Sequence, residues 1–177
     1  RIVFFNTGWM DFYQGKSNDK ITGGGKHVDN EGWGGEMFNF KNYQGRVYGY
    51  VQPKIDRQYG NPSTIKIEKL GATENDEKVT GVTVVWTARD PENGGTYIVG
   101  WYLNATVHRH EQMPPKNASR KYKTIELSYY ATAKTSDIRL LSVDERVINI
   151  RRQEKNWMGQ SNVWYADNNP DFVKLVS

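Results

Sequence analysis

The run from Val79 to Ala88 is β-branched and apolar nearly throughout. A segment of that length and composition reads as a strand buried on both faces. It ends in Asp90-Pro91-Glu92-Asn93-Gly94-Gly95, a dense cluster of turn formers, and Thr96 to Arg109 returns as a second long strand. This hairpin most narrows the possible folds, because a strand without a polar face must lie in the middle of a core. Trp86, inside its most apolar stretch, is expected in that core. A chain of 177 residues is long enough for one domain of this kind and short for two.

The remaining pattern is mostly strand as well. Arg1 to Phe5 is a short apolar run broken at Asn6-Thr7-Gly8. Gly15 to Gly35 is glycine-rich and loop-like. Arg46 to Gln52 reads as a strand stopped by Pro53. Thr64 to Leu70 alternates Ile65 and Ile67 with Lys66 and Glu68, which predicts a half-buried strand. Lys121 to Ala133 predicts another, with Ile125 and Leu127 on one side, and Arg146 to Ile150 a further one. Asp137 to Leu141 is ambiguous. Asn169 to Val176, with Pro170 near its first turn, predicts a short terminal helix. The expected class is α+β, mainly β: a small curled sheet or barrel of five to seven strands with short flanking helices, in one domain over residues 1–177.

Aromatic residues make up 13% of the chain, with 6 Trp and 11 Tyr, which excludes a disordered segment. No apolar run approaches the roughly 18 residues of a membrane span. The absence of Cys excludes a disulfide framework, a thiolate nucleophile and a Cys-ligated zinc. There is no phosphate-binding Gly-x-x-x-x-Gly-Lys-Ser/Thr, and nothing in the pattern places a helix after Gly23-Gly24-Gly25-Lys26. No Gly-x-Ser-x-Gly elbow occurs. His108 and His110 could offer two metal ligands, but no carboxylate pair accompanies them. The reading is therefore a binding domain, not an enzyme, with no catalytic residue, metal or cofactor. The net charge of +4 is unevenly placed: Trp101 to Lys155 holds 11 basic and 6 acidic residues. A local basic surplus suits either a phosphate-backbone footprint or a solvated face.

Four clusters join an aromatic to an amide or a basic group: Asn6-Thr7-Gly8-Trp9-Met10, Gly32-Trp33 through Phe40, Val99-Gly100-Trp101 through Arg109, and Asn156-Trp157 through Tyr165. Such a kit can grip a nucleobase, by stacking on aromatic faces and reading the base edge with amides. Trp9, Trp33 and Trp101 stand between core and pocket wall on this reading. Asn104, in an otherwise apolar stretch, needs a partner, either a base edge or a backbone carbonyl. An enzyme working in an aromatic-lined barrel and a Trp-rich protein-interaction domain are weaker alternatives.

The runs Gly100-Trp101-Tyr102-Leu103-Asn104-Ala105-Thr106-Val107 and Gly159-Gln160-Ser161-Asn162-Val163-Trp164-Tyr165 resemble the front domain of prokaryotic HNH-type modification-dependent endonucleases. Asn6-Thr7-Gly8-Trp9 and Gly35-Glu36-Met37-Phe38-Asn39-Phe40 fit the same picture. That front domain resembles the PUA superfamily, alongside the EVE, YTH and SRA modified-base readers. The resemblance implies a small barrel that flips a modified base out of duplex DNA into an aromatic cage. It implies a cytoplasmic, prokaryotic protein with a fused nuclease beyond Ser177, and the start at Arg1 rather than Met reads as a piece of a longer chain. Trp9, Trp33, Trp101 and Trp164 would carry the cage, and Asn6, Asn104 and Asn162 the base-edge hydrogen bonds. Lys26, His27, Arg109, Arg151, Arg152 and Lys155 would hold phosphates. The implied partner is double-stranded DNA carrying a modified base, with RNA as the alternative and no membrane.

Overall fold

The computed structural model describes every residue except 56, 57, 59, 61–63 and 177, and the side chain of Lys26. The chain is mainly β. Its strands are β1 (Ile2–Thr7), β2 (Arg46–Gly49), β3 (Lys78–Arg89), β4 (Thr96–Gln112), β5 (Lys121–Tyr122), β6 (Ile125–Glu126), β7 (Tyr129–Lys134), β8 (Ile138–Leu140), β9 (Asn149–Ile150) and β10 (Val163–Trp164). Two short helices, α1 (Lys26–Glu31) and α2 (Pro170–Val176), flank them. Eight strands form one mixed sheet along the path β10-β1-β3-β4-β7-β2, while β8 and β9 also pair with β4 and β5 pairs only with β6. The pairing path has two ends, so the sheet is curled but not a closed barrel.

The hairpin that dominates the sequence is the centre of the sheet. Val84 to Ala88 are all buried. Val84, Trp86 and Ala88 face one core with Val3, Phe5 and Tyr102. Val85 faces a second core with Phe4, Ile98, Trp164 and Phe172. β1 lies parallel to β3, Phe4 opposite Val85, and splits its side chains the same way. The Trp86 ring is fully buried, and its indole N–H has no partner among the described residues. A buried Trp gains roughly 4–6 kcal/mol from area removed from water. That exceeds the roughly 1–3 kcal/mol cost of one unpaired donor.

β4 is 17 residues long, and its outer edge is shared. The C-terminal half pairs with β7 and the N-terminal half with β8 and β9. Gly100 permits this, because a Cβ there would overlap the Arg139 carbonyl oxygen of β8 and lie 2.8 Å from the Phe40 ring.

Several expected elements differ. Residues 64–70 are not a strand: Ile65 and Ile67 are buried, but Ile67–Leu70 is a 3-10 turn closed by Gly71 in the left-handed region. The two isoleucines plug the core from a loop, which mimics strand alternation. Residues 121–133 are two elements, the β5–β6 hairpin with Lys123 at φ 55 in its turn, then β7. Ile125 is half exposed while Leu127 is buried, so they do not share a side. In 146–150 the strand is confined to Asn149 and Ile150, with the Ile148 carbonyl accepting the Ile98 amide of β4, and Arg146 is a buried cation. A helix, α1, does follow Gly25, without a side-chain cap. The ambiguous 137–141 segment contains β8, and the terminal helix is present as α2. Among the described residues no helix is long and apolar enough to cross a membrane.

Because Gly100 meets backbone on one side and a packed ring on the other, neither neighbour can yield cheaply. Gly100→Ala is expected to destabilise the fold by about 1–3 kcal/mol. The check is the urea midpoint, and an unchanged midpoint would show that β8 is not held against β4 here.

Candidate functional site

Three loop segments converge beside the sheet because two buried polar side chains tie them together. The Asn39 amide pairs with the backbone of Tyr50, accepting from its N–H at 2.8 Å and donating to its carbonyl at 3.0 Å. This fastens the Gly35–Phe38 turn to the chain leaving β2. Arg120 is only 2% exposed. Its guanidinium donates to the carbonyls of Tyr48, Gly35, Leu127 and Ser128, joining the same two segments to the β5–β6 hairpin. Burial lowers its pKa to about 10, which leaves it charged at neutral pH.

Between these segments and α1 lies a cavity of about 250 Å³. Trp33, Tyr50, His27 and Val28 line it with Gln52, Leu127 and Glu36. His27 and Glu126 are exposed, whereas Glu36, Val28 and Leu127 are buried, so the cavity runs from a polar mouth to a closed floor. Trp33 stacks on Tyr122 of the hairpin, centroids 4.7 Å apart and planes at 12°, and meets His27 edge-on at 4.6 Å. The Tyr50 hydroxyl donates to the Gln52 side-chain oxygen at 2.6 Å. Burial pushes the Tyr50 phenol well above its ordinary value.

Glu36 is the unusual group. It is 5% exposed, its Oε1 accepts the Gly8 amide at 3.4 Å, and its own backbone amide also bears on the carboxyl. Oε2 accepts no hydrogen bond from any other described residue. Glycines make room for the carboxyl: a Cβ on Gly34 would overlap Oε2, and one on Gly24 would lie 2.8 Å from Oε1. Gly24 also has φ +92, where side chains are strained. Burial raises the carboxyl pKa, opposed by the backbone amides and by His27 and Arg120.

Gly24 also borders a second, wider cleft of about 690 Å³. Arg89, Arg151 and Arg152 line it with Asn6, Asn162, Gln160 and Gly23–Gly25, against a single carboxylate, Glu154. Asn6 donates to the Asn162 side-chain oxygen at 3.3 Å, and Asn162 donates to the Gln52 carbonyl at 3.1 Å. This chain of amides runs from the cleft to the wall of the pocket.

The expected site residues therefore divide. Trp33 and His27 line the pocket, and Asn6, Asn162, Arg151 and Arg152 the cleft. Arg152 is partly committed, donating to the Gly159 carbonyl at 2.8 Å. Trp9 is not a cage wall: it is buried in the main core with the Arg146 guanidinium 4.5 Å from its ring centre. Trp101 is half-buried against the second core and lines neither cavity. Trp164 belongs to that second core, against Phe4, and borders only a separate groove with Lys54, Lys66 and Lys69. Asn104 is exposed at φ 50, where Leu103 and Asn104 bulge out of the β3–β4 pairing. Its requirement is conformational, since Asn tolerates the left-handed region. Arg109 is fastened to Glu68 and to the carbonyls of Thr73, Glu74 and Asp76, so it is no free phosphate ligand. Lys155 is exposed and lines neither cavity. The Lys26 side chain lies outside the described residues.

Sequence reasoning missed Glu36, Tyr50, Gln52, Arg89 and Arg120. For Glu36 a signal exists: a carboxyl wedged between Gly34-Gly35 and Met37-Phe38 is placed where it cannot be well solvated. Compared with protein-family models, with curated proteins and with solved structures, the chain matches none.

The raised Glu36 pKa fixes a sign. The folded chain holds the Glu36 proton to higher pH than the unfolded chain does. Its contribution to stability is therefore full below the ordinary glutamate range and is lost as pH rises through the raised value. Glu36→Gln removes that loss. The stability of the variant relative to wild type, from urea melts at a series of pH values, is expected to improve as pH rises. A difference flat with pH would place the carboxyl in water.

Proposed function

We propose that this chain is a nucleic-acid-binding domain that takes a single base, turned out of duplex DNA, into the pocket of Trp33, Tyr50 and Glu36. The neighbouring backbone rests on the cleft of Arg89, Arg151 and Arg152. The observation that carries the reading is the pocket itself: aromatic walls, a buried carboxyl with an open oxygen, and a size for one ring system. At about 250 Å³ it falls below the range of roughly 300–1,000 Å³ typical of drug-sized ligands. Stacking a base on aromatic rings is worth about 1–3 kcal/mol. That offsets much of the few kcal/mol needed to unstack it. The adjoining arginines supply the sequence-independent, salt-sensitive attraction to phosphates. The resemblance of the sequence runs to modified-base readers suggests that the base carries a mark, and a recessed pocket with a buried carboxyl suits reading one.

The test is a binding titration with duplexes carrying methylated, hydroxymethylated or plain bases, with single-stranded RNA as competitor and at several salt concentrations. Preference for a marked duplex supports the reading. Tighter binding of RNA would move it to an unpaired-base RNA module. Absence of salt-dependent binding to either would sink it.

Trp33→Ala is expected to weaken binding by about tenfold to a hundredfold. Trp9→Ala should lower the melting temperature and leave base preference unchanged. Arg151→Ala should weaken all sequences alike and reduce the salt slope by about one. Loss of base preference in Trp9→Ala with Trp33→Ala unaffected would assign the cage to the other indole.

A further inference from the structure

Glu36 sets what kind of base edge the pocket can hold. Oε1 has one long hydrogen bond from the Gly8 amide, and Oε2 accepts none from any other described residue. Two of the polar groups around it are already engaged, while the exposed His27 bears on the carboxyl only through its charge. Arg120 is committed to four carbonyl oxygens. The Tyr50 hydroxyl proton is given to Gln52. Gly24 and Gly34 leave open the space a side chain would fill, so neither supplies a donor from a side chain. Glu36 is 5% exposed and lines the cavity, so a carboxyl oxygen that can be reached only from there is stabilised by whatever brings it an N–H.

Resting on the base-taking reading above, we propose that the pocket selects bases whose exposed edge carries an amino group, and that Glu36 is the specificity-determining residue. Adenine, cytosine and guanine each present an exocyclic N–H to Oε2. Thymine and uracil present one ring N–H flanked by two carbonyl oxygens. Bringing that N–H to the ionised carboxylate forces a carbonyl oxygen against its second oxygen, so the selection belongs to the ionised form and is measured at a pH above the raised Glu36 pKa. A site built around a hydrogen bond rejects strongly a ligand that leaves its buried group unpaired. The marks admitted are thus those on adenine, cytosine or guanine that keep one amino hydrogen.

The experiment uses the whole chain and DNA hairpins with a single unpaired A, C, G or T, which removes the cost of opening a pair. Affinities come from fluorescence anisotropy, against a fully paired hairpin as reference. The A, C and G hairpins are expected to bind at least about tenfold tighter than the T hairpin. In Glu36→Gln the carboxamide offers both a donor and an acceptor, so the penalty on T should shrink towards none. Wild-type binding of the T hairpin as tight as the others overturns the amino-group selection while leaving the base-taking reading intact. A selection unchanged in a folded Glu36→Gln moves the specificity away from Glu36 and overturns its assignment. Binding of all four no tighter than the fully paired hairpin sinks the base-taking reading itself. The wild-type ranking decides the selection even if the variant fails to fold.

Discussion

Burial of β3 and β1 on both faces governs where this molecule can do anything. Alternate side chains of Val84–Ala88 enter two different cores, and Phe4 and Phe5 do the same from the parallel neighbour. Interiors packed to crystal-like density have no room for a ligand. The large aromatics there, Trp86, Tyr102 and Phe5, meet edge to face at 5.2–5.3 Å and fill the space themselves. Any cavity must then lie among the loops that leave the sheet, and those loops need their own means of being held.

Buried arginines supply it. Desolvating a guanidinium is expensive unless its donors are all taken. A planar fork with five N–H groups can join several loop carbonyls at once. Arg120 binds four carbonyls around the pocket. Arg146 binds those of Leu141, Met10 and Asp11 and covers Trp9. Asp19 does the complementary work, accepting the amides of Asp11, Phe12 and Tyr13 at 2.8–2.9 Å. Part of the basic surplus between Trp101 and Lys155 is therefore structural. Only some of it, Arg151 and in part Arg152, faces the cleft, where Arg89 from the end of β3 joins it.

This explains which features were legible in the sequence. The β3–β4 hairpin, β1, β2 and α2 follow from local composition and turn chemistry, and the mainly-β class follows from them. Ile65 and Ile67 mislead because two apolar residues at alternate positions look the same whether they pair in a sheet or plug it from a loop. Among the indoles, local sequence cannot separate Trp9 from Trp33, since both follow or precede glycine. What separates them is Arg146, 137 positions along the chain from Trp9, which closes over one and not the other. The pocket was half visible through Trp33 and His27. Its other walls come from Tyr50, Gln52 and the β5–β6 hairpin, which share no motif and are brought together by Arg120, by Asn39 and by the Trp33–Tyr122 stack.

The segment Gly23–Gly25 gives the site its coherence. It forms an edge of the arginine-lined cleft, and Gly24 is also a wall of the pocket. A Cβ at Gly24 would press on Glu36 Oε1 at 2.8 Å and on the Gly8 backbone at 3.0 Å. Gly8 in turn supplies an amide that hydrogen-bonds this carboxyl from 28 positions away. Charge in the cleft and hydrogen bonding in the pocket thus meet at one backbone position, and no side chain stands between them there. On the proposed reading, Gly24 is where a nucleotide's phosphate, drawn by the cleft, and its base, drawn by the pocket, would part. Because the two linings share Gly24, the proposal of one ligand bearing an anion and an N–H donor is more economical than two ligands bound separately.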